Sequence, residues 1–246
     1  ESERENLRRL DAAGKRIILI LNTGGIHDLQ FVDEFSGIQA VVLLGQAGME
    51  AGRALARILY GQTNPSGRLT DTWASSYDQY PSWNTFGRQN NDVAKEVFAE
   101  GIYVGYRWFD RFSRKIRYPF GYGLSYTSFE QKIIGVQMEK KSGCVDVLVR
   151  NTGTQYNGKE VLQLYVHCPN ISAAEREEKK LVAFAKSGLL APGAEETVRL
   201  KFILRDFMRF DEKNSAWILD EGDYLLSLRE NASAEVPVAV IHVEET

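Results

Sequence analysis

The chain of 246 residues contains only two cysteines, Cys144 and Cys168, which excludes a disulfide framework as the source of its stability. We expect both to be free thiols that pack as small hydrophobic side chains. The net charge is also small: 30 basic and 33 acidic residues give a formal net charge of −3. A chain this close to neutral has no field to attract nucleic acid or an anionic membrane, so neither is predicted as a partner. No apolar run approaches the roughly 20 residues needed to cross a bilayer.

Signals for a metal or a cofactor are also lacking. The three histidines, His27, His167 and His242, lie far apart, and no two have the spacing of metal ligands. Gly45–Gly48 follows one predicted strand and opens a helix, but its glycine spacing matches neither the dinucleotide fingerprint nor a phosphate loop. It indicates close packing of a strand against a helix. We therefore predict no metal site and no cofactor.

Carboxylates are plentiful, but no pair of them is singled out. Hydrolysis of a glycoside needs two carboxyl groups roughly 5 to 9.5 Å apart across the sugar. The candidates expected away from the surface are Glu34, Glu50, Asp71, Glu100 and Asp110. Their spacing assigns neither an acid nor a nucleophile, so the residues alone identify no reaction.

Residues 1–75 alternate between helical and strand-like patterns. The continuous apolar runs Arg16–Leu21 and Ala40–Leu44 are typical of parallel strands that are covered on both faces. Two parallel strands do not make a stable sheet alone. We therefore predict an incomplete α/β sandwich domain whose missing strands precede Glu1 or come from another polypeptide. The predicted helices are Glu3–Ala13, Asp28–Phe35 and Met49–Tyr60, the last with Gly61 as its cap.

Residues 76–128 form an irregular segment rich in aromatic side chains, with Pro81 and Pro119 interrupting any regular element. Such a cluster can fill the space between two domains. It can equally stack on sugar rings, with Trp73, Trp83 or Trp108 as the platform. The pattern leaves both interpretations open.

Residues 129–246 change to a period of two. Val145, Val147 and Val149 alternate with polar residues around Leu148, which we also expect to be buried. Short alternating runs separated by turn signals predict a seven-stranded antiparallel sandwich, immunoglobulin-like or fibronectin III-like. The charged run Glu175–Lys180 is predicted to be a solvated loop. The other strand-like runs are Leu162–Val166, Val198–Phe202, Tyr224–Leu228 and Val238–Ile241.

Three sets of motifs resemble glycoside hydrolase family 3. The stretch Gly48–Leu69 is similar to the family's G-x-E-G-G-x-A-L-A-D-x-L-F-G…N-P-S-G-K-L-P sequence, although Ala51, Arg57 and Thr70 replace its usual Gly, Asp and Pro. The segments that resemble the family's interdomain connection and the start of its final domain are Glu100–Arg107, Tyr118–Thr127, Asn151–Gly153, Gly158–Val161, Gln163–Val166 and Leu189–Gly193. The resemblance covers nearly the whole chain.

This resemblance implies the C-terminal part of a retaining β-glucosidase. In the family, an Asp nucleophile from a barrel domain and a Glu acid/base from the α/β domain act through a covalent intermediate. That Glu lies upstream of the strand matched by Arg16–Leu21, and Glu1 and Glu3 fall in the preceding helix, so no catalytic residue is carried over. The implied partners are a β-glucoside or oligosaccharide and the rest of the enzyme. The cleft-edge candidates, in loops that follow predicted strands, are Asn22, Gly24 and Gln46.

Alternatives remain within and outside the family. A β-xylosidase of the same family would share these motifs, and a carbohydrate-binding module without hydrolytic activity would need only the aromatic platform. A fibronectin III adhesion module explains only residues after about 128. Three origins fit the start of the chain: a piece of an enzyme cut in a loop, a fragment, or a domain order in which the barrel follows Thr246.

Overall fold

The computed structural model describes residues 2–86, 94, 98, 100–169, 176–234 and 237–243. Its α-helices are α1 (Ser2–Ala12), α2 (Ala51–Leu59) and α3 (Tyr106–Arg111), and short 3₁₀ helices cover Gln30–Glu34, Tyr77–Gln79 and Leu204–Phe207. Within those ranges, no helix is both long enough and apolar enough to cross a membrane. The strands are β1 (Ile17–Leu21), β2 (Ile38–Leu43), β3 (Trp73–Ala74), β4 (Ile116–Tyr118), β5 (Phe129–Met138), β6 (Ser142–Asn151), β7 (Val161–His167), β8 (Lys179–Lys186), β9 (Glu195–Ile203), β10 (Arg209–Asp211), β11 (Ala216–Ile218), β12 (Gly222–Arg229) and β13 (Pro237–Val243).

The first part of the chain is α/β, as predicted. β1 pairs with β2 in parallel, with Leu19 opposite Val41 and Leu21 opposite Leu43. The expected cover on both faces is not supplied by the described residues, because Ile18 and Leu43 are each about half exposed. These strands carry the apolar sequence of a buried sheet but meet solvent in this chain.

Element boundaries differ from the predicted ones where backbone contacts extend or tighten an element. β2 begins at Ile38, two residues before the predicted start, because Ile17 and Ile38 are already paired across the strands. The predicted helix Asp28–Phe35 is a 3₁₀ helix of five residues. α2 ends at Leu59, and Gly61 has the positive φ (70°) of a C-terminal cap.

The second part is an antiparallel sandwich, which confirms the predicted class. A four-stranded sheet in the order β13-β12-β7-β8 faces a three-stranded sheet in the order β5-β6-β9.

Two predictions about single residues of the sandwich have different outcomes. Both cysteines are free thiols, as expected. Leu148 is only half-buried, contrary to expectation, because a period of two turns it away from its valine neighbours. The core includes Val145, Val147, Val149, Leu162, Leu164, Val166, Leu200, Phe202, Phe207, Tyr224 and Leu226.

β7 is buried on both of its faces. Its outward residues Gln163 and Tyr165 are covered by the aromatic segment rather than by water. The Tyr106 ring meets the Tyr165 ring edge-on at 5.9 Å, and the Tyr106 hydroxyl accepts a hydrogen bond from the Leu181 amide at 2.9 Å. Gln163 Nε2 donates to the carbonyl of Gly121 at 3.2 Å. The aromatic segment therefore forms part of the sandwich's packing.

Parts of the charged run predicted as a solvated loop are instead buried. Arg176 donates to the carbonyl of Phe207 at 2.8 Å and pairs with Asp220. Lys179 Nζ lies 2.6 Å from the carboxylate of Asp110. The solvated-loop prediction is wrong for these two cations because each meets an acidic partner distant in sequence. Glu175 lies outside the described residues.

The tryptophans in and just before the aromatic segment divide into two groups. Trp73 is buried in β3. The Trp108 indole donates to the carbonyl of Gln79 at 2.9 Å, and its ring centroid lies 4.2 Å from that of Phe112. Trp83 is partly exposed. Trp73 and Trp108 therefore pack the segment together, as the space-filling interpretation expects.

Candidate functional site

The three predicted cleft-edge residues lie where β1 and β2 end. Because the two strands are parallel, their C-terminal loops leave the sheet at the same edge. The Leu44 amide donates to the carbonyl of Leu21 at 2.9 Å, which extends the pairing into the loops. Asn22, Gly24 and Gln46 are all exposed there.

Gly24 and Gln46 are in direct contact. A Cβ atom added at Gly24 would lie 2.9 Å from Gln46 Nε2, closer than real side chains approach. A side chain at Gly24 would therefore shift the exposed Gln46 amide from its present position. The structure brings these two candidates together, with Asn22 directly after the same strand.

A second polar group in this loop is the hydrogen-bonded pair of Thr23 and His27, which the sequence pattern did not predict. Thr23 Oγ1 lies 2.6 Å from His27 Nε2 and accepts a hydrogen bond from the Gly25 amide at 3.2 Å. The Thr23-x-Gly25 spacing favours a turn closed by the threonine hydroxyl, and it could have indicated this arrangement from the sequence. Hydroxyl, imidazole and amide groups at one edge can donate to and accept from sugar hydroxyls.

The carboxylates proposed as lying away from the surface are mostly exposed. Glu34 pairs with Arg4, and Glu50 lies 3.3 Å from Arg53. Asp71 is also exposed, so the expectation is wrong for these three residues because helix ends and loops present them to solvent.

The two remaining carboxylates are less exposed. Asp110 is largely buried, and burial raises the pKa of its carboxyl, an effect that nearby Lys179 opposes. Glu100 is partly buried. Asp110 is held in an ion pair between α3 and β8, where it supports packing.

No group of three or more potential metal ligands occurs among the residues that the structure describes. Two of the histidines are engaged separately in the sandwich. His167 Nε2 lies 2.7 Å from Arg229 Nη2, and His242 Nδ1 lies 2.7 Å from the Asp223 carboxylate. His27 belongs to the loop after β1.

An apolar cavity of about 570 Å³ lies between β2 and the segments that lead into the sandwich. The whole of β2 contributes to its wall. It is lined mainly by hydrocarbon, with few polar groups to orient a small ligand. Its other walls include Leu21, Leu29, Ile58, Trp73, Tyr118 and Tyr122.

The motif Asn64–Leu69 fastens the α/β part to the sandwich. Asn64 Nδ2 donates to the carbonyl of Asn157 at 3.0 Å, and its Oδ1 accepts from the Tyr126 amide at 2.8 Å. Ser66 Oγ accepts from Lys186 Nζ at 3.2 Å. Each polar side chain therefore reaches across the joint.

A buried ion pair completes this joint. Arg68 Nη2 donates to Glu160 Oε2 at 2.9 Å, and Gln131 Nε2 donates to the other carboxylate oxygen at 2.9 Å. Burial raises the pKa of Glu160, and the adjacent Arg68 acts in the opposite direction. The sequence showed the motif, but its role depends on partners 61 to 120 positions away.

Comparison with known families gives two matches along the chain. Residues 1–106 match the glycosyl hydrolase family 3 C-terminal domain, and residues 160–232 match a fibronectin type III-like domain. The chain belongs to glycosyl hydrolase family 3. The predicted resemblance is confirmed, and the Asn64–Leu69 joint lies within the family 3 match.

Similar proteins include a β-glucosidase from Ruminococcus albus, 37% identical over 91% of this chain and 23% of the relative. The crystal structure of a β-glucosidase from Kluyveromyces marxianus in complex with glucose matches with a TM-score of 0.90 and 30% identity, over 100% of this chain and 29% of the other. The β-glucosidase 3B of Thermotoga neapolitana in complex with glucose gives 0.85 and 34%, over 97% of this chain and 33% of that one. The chain spans about a quarter to a third of the length of the curated relatives.

Proposed function

We propose that this family 3 chain is the C-terminal part of a retaining β-glucosidase that removes terminal β-linked glucose from glucosides or oligosaccharides. The observation that carries the proposal is a match along the chain's whole length to a β-glucosidase in complex with glucose. Family membership alone does not identify which sugar is removed. Agreement of fold and at least 30% identity with β-glucosidases from several organisms favours glucose over xylose.

In this proposal the chain supplies support and one edge of the cleft. Asn22 and Gln46 hydrogen-bond substrate hydroxyls, and Gly24 leaves room for the Gln46 amide. The Asp nucleophile and the Glu acid/base come from the rest of the enzyme. Neutral amides cannot replace them, because general acid/base catalysis needs a group that exchanges a proton near the working pH.

The rest of the enzyme is also the proposed partner of the exposed sheet. Ile18 and Leu43 are about half exposed on strands whose sequences suit a covered sheet. The apolar cavity beside β2 offers hydrocarbon walls to side chains of the same enzyme. Burying these surfaces would stabilise the association through the hydrophobic effect.

The proposed organisation has three units: part of the α/β sandwich domain at residues 1–75, an interdomain segment at 76–128, and the fibronectin III-like sandwich at 129–246. Its support is the parallel pairing of β1 with β2 in the first unit and the antiparallel pairing of β5 with β6 that begins the third, while the antiparallel pair of β3 and β4 links the first unit to the segment. Urea unfolding of residues 76–246 and of residues 129–246 would test these bounds, and we expect the shorter piece to be the less stable because it loses the cover over Gln163 and Tyr165 on β7.

The function is tested by co-expressing the chain with a family 3 barrel region that includes the upstream part of the α/β domain. We expect a stable complex that hydrolyses an aryl β-glucoside faster than the matching aryl β-xyloside. A complex without hydrolysis would refute the proposed activity, and a preference for the xyloside would refute the proposed sugar.

Two substitutions test whether Asn22 and Gln46 lie at the edge of the substrate cleft. Gln46→Ala and Asn22→Ala should each raise KM about fivefold, since a neutral hydrogen bond contributes about 1 kcal/mol. Gln62→Ala, which removes an exposed amide side chain after α2, is the matched control and should leave KM unchanged. Equal effects of Gln46→Ala and Gln62→Ala would contradict the assignment.

A further inference from the structure

Two aromatic rings are in contact on the outside of the sandwich, on the hairpin of β10 and β11, with their planes inclined at 64°. Phe210 and Trp217 are direct cross-strand neighbours with ring centroids 5.5 Å apart, and they are 49% and 52% exposed. The core behind the hairpin already contains the stacked rings of Phe202, Phe207 and Tyr224. Adjacent exposed rings that the core does not require are typical of a binding surface.

The hairpin that carries these rings is held in one conformation. The Asp211 carboxylate accepts hydrogen bonds from the Lys213 amide at 3.1 Å and from Asn214 Nδ2 at 2.7 Å, which closes the turn. At its base, Arg209 forms an ion pair with Asp220 at 3.0 Å. A platform fixed before binding loses little conformational entropy when a ligand arrives.

Polar groups surround the rings, and their charges balance. The Arg205 guanidinium lies 5.9 Å from the centre of the Trp217 ring and is exposed. Between residues 204 and 218 the basic side chains are Arg205, Arg209 and Lys213, and the acidic ones are Asp206, Asp211 and Glu212. This balance does not favour a polyanion or a polycation, so the patch suits a neutral ligand with both apolar and hydroxyl surfaces.

We propose that Phe210 and Trp217 form a carbohydrate-binding platform for a neutral β-glucan chain. The C–H face of a pyranose ring is apolar and its rim carries hydroxyls, so the sugar matches aromatic rings bordered by hydrogen-bonding side chains. Arg205 offers donors to these hydroxyls, and Asn214 offers an amide. The platform lies in the sandwich, whereas the cleft-edge loops lie in the α/β part, so its role is attachment to a polymer and does not depend on the proposed hydrolysis.

The test is affinity electrophoresis of the 246-residue chain in native gels that contain soluble mixed-linkage β-glucan. We expect the wild-type chain to be retarded and Trp217→Ala to weaken the apparent Kd about tenfold, the effect of removing one stacking ring. Trp217→Phe keeps a ring and should retain most of the retardation. The matched controls Phe184→Ala, at an exposed ring on β8, and Trp83→Ala, in the aromatic segment, should behave as wild type.

Three outcomes would overturn the platform: no retardation of the wild-type chain, equal retardation of Trp217→Ala, or loss only in Trp83→Ala. Retardation should also persist in about 1 M NaCl, where electrostatic attraction is screened beyond about 3 Å. Loss in salt would assign the binding to charge. Comparing Trp217→Phe with Trp217→Ala at equal thermal midpoints separates the loss of stacking from the loss of fold. Because no hydrolysis is measured, failure here leaves the proposed activity standing.

Discussion

Replacing Arg68 by methionine should destabilise the chain strongly, because it removes one partner of the ion pair that joins the two parts. The side chains of Arg68 and Glu160 are only 11% and 6% exposed. Without the guanidinium, the carboxylate keeps a hydrogen bond from Gln131 but loses its counter-charge. An unpaired buried charge of this kind costs about 3 to 5 kcal/mol.

The size of this loss should depend on pH. Burial raises the pKa of Glu160, and removing Arg68 takes away the interaction that opposes this rise. A carboxyl with a raised pKa binds its proton more tightly in the folded chain than in the unfolded one. Its stabilising contribution is therefore complete below the unfolded value of about 4.3 and is lost as pH rises through the folded pKa. The Arg68→Met loss should be larger at about pH 8 than at about pH 5.

Urea unfolding followed by circular dichroism measures these differences. Arg68→Met combined with Glu160→Gln should recover most of the stability, since no charge is then left unpaired. Arg199→Met, which breaks an exposed bidentate pair with Asp146, is the matched control and should cost less. The reasoning is refuted if Arg68→Met costs no more than Arg199→Met, or if the double variant is as unstable as the single one.

Three further changes test the sandwich and the segment that covers β7, each by the free energy of unfolding in urea. Leu226→Ala should cost about 2 to 5 kcal/mol, because it opens a cavity in a fully buried position of β12. Gly121→Ala should cost about 1 to 3 kcal/mol from its φ of 81° alone, and more because the new Cβ would overlap the Gln163 side chain. Asn151→Ala should cost about 2 to 4 kcal/mol, because its amide donates to the carbonyls of Tyr156 and Leu190 at 2.9 Å and those groups would lose their partner.

Each of these changes has a control on the same chain. Val240→Ala removes an exposed side chain from β13, and Asn157→Ala removes an exposed amide, so both should have little effect. Gly193 shares a positive φ of 80° but has open space around its Cβ position. If Gly193→Ala were as destabilising as Gly121→Ala, the argument from overlap with Gln163 would fail.

Local patterns predicted the elements of the fold well. The alternation of Val145, Val147 and Val149 identified the core face of β6, because a strand's side-chain period is fixed by its backbone. The runs at β1 and β2 predicted parallel pairing, which the register confirms. Because parallel strands end at the same edge of a sheet, this pairing also placed the loops with Asn22 and Gln46 together. The contact of these residues with substrate stays a prediction.

The sequence did not show which elements are buried by residues distant in the chain. Gln163 and Tyr165 alternate as outward residues should, yet the aromatic segment buries them. Arg176 and Lys179 lie in a run of charges that looks solvated, and their partners are 44 and 69 positions away. A local pattern reports which face of an element is apolar, but it does not report what packs against the other face.

The burial of β7 on both faces has a consequence for protein engineering. A chimaera that grafts the fibronectin-like module of another family member at residue 129 would set a foreign β7 beneath Tyr106 and Gly121. It would also pair foreign residues with Arg68 and Asn64. Exchange between relatives should therefore transfer residues 103–126 together with the sandwich, so the natural unit of recombination begins well before the first strand of the module.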